Sequence, residues 1–302
     1  MRIFYFTTPD PKLQGDIQEN VILIGLRELL GENVIDYPRK KVLYGEFDET
    51  PKETIHGRGF TLYNKPIQDI ANRPDPSTIT PNDIILYGVC NDYGVTDYPE
   101  YNKLTPNVFY LDGHDNEKIR KTPCFKREYY EETQNVWGTG FGIPEHLIRP
   151  IDFNKNQLYQ STAPLYCFDN ANNPNLLKAG LNYKFTNEKD YFDDMSKSWF
   201  GLSCKKGGWD ALRHYEIMAA GSVLVYKDYN KKPILCSPVG IPAVVYSNTD
   251  ELFQLMNFLV PNNQPSKLYK RILFEQRDWL LKFGTCKIRA LKVLQEINLQ
   301  IK

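Results

Sequence analysis

Apolar and polar positions follow two different periods in the first part of the chain. Residues 2–7 form a short apolar run, which is typical of a buried strand. The segment from Asp16 to Leu30 has apolar residues at helical spacing on one side, and Gly31 stands where such a helix would end. A second apolar run at 33–37 predicts another strand. This order of strand, helix and strand predicts the beginning of a parallel α/β sheet.

Further strands are predicted before residue 120, and polar loops follow two of them. A proline-rich stretch comes first, with one strand predicted around Phe60–Tyr63. The runs Asp83–Val89 and Asn107–Leu111 are apolar, as expected for strands covered on both faces. Ligands of open α/β sheets bind beyond the carboxyl ends of the strands. The candidate site loops of this half are therefore Cys90-Asn91-Asp92 and Asp112-Gly113-His114-Asp115.

The second half of the chain repeats the alternation of strands and helices. Residues 138–150 predict a last strand and a turn out of the first domain. The elements predicted after it are a strand at Leu165–Phe168, a helix at Glu188–Trp199, a strand at Phe200–Cys204, a helix at Asp210–Ala220, a strand at Ser222–Tyr226, a loop through Ile241–Tyr246, and helices at Asp250–Leu259 and roughly Ser266–Ile301. We therefore expect two α/β domains with a cleft between them, at 1–155 and 156–302.

Composition narrows the class of protein. The 302 residues contain 37 Lys and Arg and 37 Asp and Glu, so the net charge is zero and a nucleic-acid partner is not expected. No apolar run reaches the 18 or so residues of a membrane span, so no transmembrane segment is expected. The six cysteines form no C-x-x-C pair, which argues against a zinc cluster or a disulfide framework. These features favour a cytoplasmic protein.

The most informative segment is Phe200–Asp228, which predicts a strand, a glycine loop, a helix and a second strand. Gly207 and Gly208 permit a tight turn and the close approach of a ligand, because neither has a Cβ atom. Asp210 suits the N-cap of the following helix. The free N–H groups of the first helical turn favour an anion such as a diphosphate.

Side chains around this helix suit the rest of a nucleotide sugar. Arg213 and Glu216 are three positions apart, so both are expected on one exposed face. Arg213 can neutralise a diphosphate leaving group, and Glu216 can accept hydrogen bonds from two ribose hydroxyls. Lys205 and Lys206 add positive charge beside them. The alternative is a solvent-facing ion pair that contributes only about a few tenths of a kcal/mol.

The stretch from Arg213 to Val225, RHYEIMAAGSVLV, resembles the nucleotide-binding helix and following strand of GT-B glycosyltransferases, including exostosin-like and related families. Phe141-Gly142-Ile143-Pro144 resembles the interdomain segment of such enzymes. The resemblance implies two Rossmann-like domains facing across a cleft, with Glu216 on the donor ribose and Arg213 on the diphosphate. It also implies a C-terminal helix that packs back toward the first domain. Many retaining members carry another glutamate at the position of Gly208, so retention and inversion both stay open.

An inverting transferase needs a base that takes the proton of the acceptor hydroxyl. Asp112, His114 and Asp115 lie in a loop expected to face the cleft, and each is a candidate for that base. The alternative is an Asp/Gly turn that caps the strand. The sequence contains no Asp-x-Asp motif, which the other main glycosyltransferase fold uses to bind a metal ion, so no metal cofactor is expected.

These features predict a metal-independent glycosyltransferase of glycan biosynthesis that uses a nucleotide-sugar donor and a hydroxyl acceptor. Its C-terminal domain is expected to hold the donor. The candidate residues are Asp112, His114, Asp115 and Arg213 for catalysis, and Lys205, Lys206, Gly207, Gly208, Arg213 and Glu216 for donor binding. The alternatives are a non-catalytic nucleotide- or carbohydrate-binding protein of the same fold and a nucleotide-sugar epimerase.

Overall fold

A computed structural model describes residues 2–7, 16–48, 50–89, 98–169 and 184–301. The chain divides into two compact units. Unit 1 consists of Met1–Pro144, Leu235–Ser237 and Thr285–Lys302, and unit 2 consists of Glu145–Ile234 and Pro238–Gly284. This division differs from a single boundary between 155 and 156, because the chain returns to unit 1 twice. A hydrophobic pattern read along the chain locates elements, but it does not show which sheet a late segment packs against.

Unit 1 is built on a parallel sheet. Its strands are β1 (Ile3–Phe6), β2 (Val34–Tyr37), β3 (Ile84–Val89), β4 (Val108–Asp112), β5 (Cys124–Lys126) and β6 (Val136–Gly138). Among the described residues the order is β2-β1-β3-β4-β5-β6, and every pairing is parallel. The predictions for β1 to β4 are confirmed. The carboxyl ends of β4 and β5 lie side by side, because Asp112 is the register partner of Lys126.

Unit 2 has a second, smaller parallel sheet. Its strands are β7 (Gln157–Tyr159), β8 (Ser198–Cys204), β9 (Val223–Lys227) and β10 (Val244–Tyr246), in the order β10-β9-β8-β7 within the described ranges. β10 lies in a stretch predicted as a loop. The strand at 222–226 and the strand at 200–204 are confirmed as β9 and β8.

Helices cover both sheets. They are α1 (Ile17–Leu30), α2 (Pro99–Asn102), α3 (Glu188–Ser196), α4 (Leu212–Ala220), α5 (Thr249–Leu259), α6 (Lys267–Phe283) and α7 (Cys286–Ile301). The Asp16 carboxylate caps α1 by accepting from the N–H of Glu19 at 2.6 Å. Gly31 ends α1 at φ 57°, as predicted, and Gly221 ends α4 at φ 82°. No helix of the described ranges is both long and apolar enough to cross a membrane.

Three of the predicted strands are wrong. In the predicted range 138–150, β6 ends at Gly138 and Ile143 makes only an isolated bridge to Thr285. Residues Phe60–Tyr63 form bends rather than a strand, and Thr61 has the left-handed φ of 68°, which a strand does not accommodate. Leu165–Cys167 is a single turn of 3₁₀ helix that follows Pro164. All three segments contain buried apolar residues. Short apolar runs therefore identified burial correctly but not backbone conformation.

The predicted C-terminal helix is two helices, which separate at Gly284 and Thr285. α6 belongs to unit 2, whereas α7 belongs to unit 1 and packs along α1. The expectation that the C-terminal helix packs against the first domain is therefore confirmed. At the crossing of α1 and α7, a Cβ atom on Gly25 would overlap the backbone carbonyl of Cys286.

Replacing Gly25 with alanine is expected to lower the free energy of unfolding by about 1–3 kcal/mol, the usual cost of overpacking a well-packed contact. The clash involves backbone atoms of Cys286, which cannot rotate away. Gly138→Ala is the matched control, since its nearest neighbours would lie 3.7 Å and 3.9 Å from the added atom. Urea unfolding measures both variants. Equal stability of the two variants would show that α1 and α7 do not pack this closely.

Candidate functional site

The loop between β8 and α4 carries four of the predicted donor-binding residues. Lys205, Lys206 and Gly207 are exposed, and Gly208 is buried. The N–H of Lys206 donates to the carbonyl of Gly208 at 3.2 Å, which closes a tight turn. The ammonium group of Lys205 lies 4.8 Å from the centre of the Trp209 ring. The charge of Lys206 interacts instead with that of Arg213 on α4.

The start of α4 differs from the prediction. The N-cap is Ala211, whose side chain makes no capping hydrogen bond, and not Asp210. The Asp210 carboxylate instead accepts from the hydroxyl of Tyr215 at 3.2 Å. Asp210 is drawn into the interior by this bond, with an exposure of 4%. The first turn of α4 is left without a side-chain cap, which leaves its N–H groups to other acceptors.

Arg213 and Glu216 project from the same face of α4, but this face is only partly exposed. Glu216 is buried at 6% exposure, and its Oε2 accepts from the hydroxyl of Tyr191 at 2.6 Å. Arg213 is partly exposed, and its Nη1 donates to the carbonyl of Thr162 at 2.5 Å. The predicted solvent-facing position is thus wrong for Glu216, because α3 packs against α4 and covers it with Tyr191.

We call Lys206, Arg213, Glu216 and Tyr191 the helix cluster. The pKa of Lys206 is lowered, first by partial removal of water from its ammonium group and next by the positive charge of Arg213. Burial works against the charge of Arg213 as well, but the nearby Tyr191 and Glu216 raise its pKa overall. Two cations held this close favour a ligand with more than one negative charge.

A second group of charged residues lies at the carboxyl ends of β4 and β5. His114 Nδ1 is 2.7 Å from Asp112 Oδ1, and the His114 backbone N–H donates to the same oxygen at 3.1 Å. Lys126 Nζ and Arg120 Nη1 lie 3.3 Å and 3.8 Å from Asp112 Oδ2. We call Asp112, His114, Arg120 and Lys126 the strand-end cluster.

The electrostatics of the strand-end cluster keep Asp112 ionised. Burial alone would raise the pKa of Asp112, but the hydrogen bond from His114 and the charge of Lys126 lower it overall. Burial is the main cause that lowers the pKa of Lys126, against the charge of Asp112. An ionised Asp112 holds the Nδ1 side of the His114 ring and fixes the orientation of the imidazole.

The other nitrogen of His114 is the chemically available one. His114 is 4% exposed, and its Nε2 is buried without a hydrogen-bond partner among the described residues. A buried polar atom of this kind is uncommon and points to a ligand or to chemistry. With Nδ1 directed at Asp112, Nε2 is free to accept a proton.

The third predicted base, Asp115, is engaged elsewhere. Its carboxylate pairs with the guanidinium of Arg127, although its side chain is 55% exposed. The structure therefore brings Asp112 and His114 together and turns Asp115 to a different partner. The other predicted loop, Cys90-Asn91-Asp92, lies outside the described residues.

Lys126, Arg120 and Tyr191 were not anticipated from the sequence. Lys126 follows two apolar residues in a three-residue strand, and only the strand register places it opposite Asp112. In the sequence, nothing distinguishes Tyr191 from an ordinary aromatic residue of an amphipathic helix. No group of three or more His, Cys, Asp or Glu side chains in the described ranges is arranged to hold a metal ion.

Comparison with known proteins identifies the fold. No protein-family model matches the sequence, and no curated protein sequence matches it. Solved structures do match over nearly the whole chain. A glycosyltransferase of Rickettsia africae is 12% identical with a TM-score of 0.55, and covers 100% of this chain and 99% of its own.

Two further solved structures have a similar fold. AviGT4, a glycosyltransferase involved in avilamycin A biosynthesis, is 11% identical with a TM-score of 0.53, over 99% of this chain and 97% of its own. HepE of Anabaena, solved with UDP and glucose, is 8% identical with a TM-score of 0.50, over 99% of this chain and 100% of its own. The chain thus has the two-domain, GT-B-like fold of glycosyltransferases. At these identities the likeness concerns the fold alone, and the resemblance to the exostosin-like group stays a prediction.

Proposed function

We propose that this protein is a metal-independent glycosyltransferase that moves a sugar from a nucleotide-sugar donor to a hydroxyl of a glycan or another acceptor. The observation that carries the proposal is the helix cluster. Lys206 and Arg213 supply two positive charges beside the uncapped first turn of α4, and Glu216 lies one turn further along the same helix. This order of groups suits a diphosphate next to a ribose.

In this proposal, unit 2 binds the donor and unit 1 acts on the acceptor. Lys206 and Arg213 bind the diphosphate of the donor, and Glu216 accepts from the ribose hydroxyls, sharing its carboxylate with Tyr191. Unit 1 acts on the acceptor through the strand-end cluster. His114 Nε2 takes the hydroxyl proton, while the Asp112 carboxylate stabilises the imidazolium that forms.

The bond changes of an inverting transfer follow from these roles. The acceptor oxygen forms a bond to the anomeric carbon as its proton passes to His114 Nε2. The bond between the anomeric carbon and the diphosphate oxygen breaks at the same time. The nucleoside diphosphate leaves with an additional negative charge, which Arg213 and Lys206 stabilise.

Binding of nucleotides is the first test. HepE was solved with UDP and glucose, so UDP and UDP-glucose are the first probes, followed by other nucleoside diphosphates and their sugars. A ligand that binds only the folded protein raises its melting temperature. Turnover is measured as released nucleoside diphosphate with a panel of saccharide acceptors. Binding without turnover across the panel would favour the non-catalytic alternative, and no binding at all would contradict the proposal.

Replacing Glu216 with alanine is expected to weaken binding of the preferred nucleoside diphosphate by about 1.5–3 kcal/mol, the usual range for a hydrogen bond to a charged group. The loss arises because the ribose hydroxyls then have no carboxylate to donate to. Calorimetric titration with the nucleotide measures it. Glu275→Ala on α6 is the matched control, since Glu275 is an exposed glutamate of the same unit, with an exposure of 55%. Equal affinity of the two variants would reject the assignment of Glu216.

A further inference from the structure

A tyrosine on α3 is joined to the carboxylate that the proposed function assigns to the donor ribose. The hydroxyl of Tyr191 donates to Glu216 Oε2 at 2.6 Å, which is short for a hydrogen bond between two oxygens. Glu216 is 6% exposed, whereas Tyr191 is only half-buried, so a ligand can approach the pair from the side of the tyrosine. The helix cluster therefore offers a ribose two neighbouring oxygen groups.

The position of Tyr191 is fixed by the bonds that hold α3. Asp193 Oδ1 pairs with Arg149 Nη1 at 2.6 Å, and Asp194 Oδ2 accepts from the backbone N–H of Ser161 at 2.9 Å. The helix also packs directly on α4. A side chain that is already held in place loses little freedom when a ligand binds to it, which favours binding.

Both side chains of the pair can accept hydrogen bonds from a ligand. A carboxylate has about four acceptor positions, and Tyr191 uses one of those of Glu216. A phenol oxygen that donates its single hydrogen can itself accept a hydrogen bond. Because the two bonded oxygens are 2.6 Å apart, vicinal hydroxyls can donate to both side chains at once.

We propose that Tyr191 and Glu216 bind the two ribose hydroxyls together, one hydroxyl at each side chain, and that the donor is therefore a ribonucleotide sugar and not a 2′-deoxyribonucleotide sugar. This assignment rests on the proposed function, because it requires the ribose of a nucleotide next to α4. It adds Tyr191 to the residues that contact the donor, and it names the class of nucleotide that is selected.

Selection against a deoxyribose follows from the burial of the pair. A ligand that covers Glu216 and Tyr191 removes water from their oxygens, and a buried oxygen without a hydrogen-bond donor is unfavourable. A 2′-deoxyribose lacks one of the two donors, and the hydrogen atom in its place makes no hydrogen bond. A site that is built to bind a hydroxyl therefore strongly rejects the analogue without it.

The first experiment compares UDP, 2′-deoxy-UDP and 3′-deoxy-UDP in calorimetric titrations of the original protein. We expect each deoxynucleotide to bind about 5–100-fold more weakly than UDP, the range from an ordinary hydrogen bond to one with a charged group. A deoxynucleotide that binds as tightly as UDP would overturn the proposal, and this result requires no variant. If no ribonucleoside diphosphate binds at all, the proposed function fails and this proposal fails with it.

The second experiment uses Tyr191→Phe, which removes the hydroxyl and keeps the ring. We expect the affinity for UDP to fall about 5–10-fold. One of the two deoxynucleotides lacks the hydroxyl that Tyr191 receives, so its affinity should fall less, and the preference for UDP over that nucleotide should decrease. Tyr166→Phe is the matched control, since Tyr166 is a tyrosine of the same unit with an exposure of 47%.

The ratio of affinities separates contact with the ribose from a structural role. A distorted α3 would weaken UDP and both deoxynucleotides by the same factor, and that result would overturn the assignment of Tyr191. Equal affinity of Tyr191→Phe and Tyr166→Phe for UDP would overturn it as well. In both cases, normal binding of UDP by the original protein would leave the donor site intact, so failure of this proposal is distinct from failure of the proposed function.

Discussion

Replacing His114 with alanine is expected to lower the turnover number by about 10²–10⁴-fold, the usual contribution of a positioned general base. The reason is that the buried Nε2 is the only nitrogen of this ring that Asp112 leaves available. Affinity for UDP should not change, because the proposed role of His114 is to take the proton of the acceptor and not to bind the nucleotide. The measurement is release of nucleoside diphosphate at saturating donor and acceptor, with calorimetry for UDP.

Two further variants make this result specific. His146→Ala removes an exposed histidine of unit 2 and should keep full turnover. Asp112→Asn keeps the shape of the side chain but removes the charge that stabilises the imidazolium, so it should also reduce turnover. If His114→Ala turns over as fast as His146→Ala, another group takes the proton, and the assignment of the strand-end cluster fails.

Replacing Arg213 with alanine is expected to reduce turnover by about 10²–10³-fold, the range found when one group that stabilises a developing negative charge is removed. The leaving diphosphate gains charge as the sugar bond breaks, so the loss should fall mainly on turnover and less on the affinity for the intact donor. Arg213→Lys keeps the charge but loses the fork of two donors. Its turnover should therefore lie between that of the original protein and that of Arg213→Ala.

The control for Arg213 is Arg271→Ala. Arg271 is an exposed arginine on α6 in the same unit, and its side chain is 69% exposed. Arg213 also donates to the carbonyl of Thr162, so melting temperatures of both variants are needed to exclude loss of the fold. Unaltered turnover of folded Arg213→Ala at saturating donor would contradict a role in leaving-group stabilisation.

The sequence predicts six of the ten described strands, β1 to β4, β8 and β9, for a physical reason. Strands of a parallel sheet are covered on both faces, so β1, β3 and β4 read as continuous apolar runs. The strands that were missed, β5, β6, β7 and β10, have three residues each, which is too short to show a period. The falsely predicted strands lie where apolar residues are buried outside a sheet. The turn Leu165–Cys167 and the bends around Thr61 are buried in loops, and hydrophobicity alone does not distinguish such loops from strands.

In the candidate sites, some contacts could be predicted from the sequence and others could not. Asp112 and His114 are two positions apart at a strand end, so their contact depends on local backbone and could be predicted. Lys126 reaches Asp112 only through the pairing of β4 with β5, which a single sequence does not reveal. Tyr191 meets Glu216 because α3 packs on α4, and this contact between helices is equally hidden. A contact between residues close in sequence could thus be predicted, whereas contacts between residues distant in sequence could not.

The position of α7 has a consequence for synthesis on the ribosome. α1 emerges early, but the helix that covers it at Gly25 is translated only after all of unit 2. Until then, the face of α1 at Gly25 lacks its helical partner and is open to chaperones. Unit 2, whose sheet and helices come from one nearly continuous stretch, contains no part of α7 and does not depend on that helix for its own contacts.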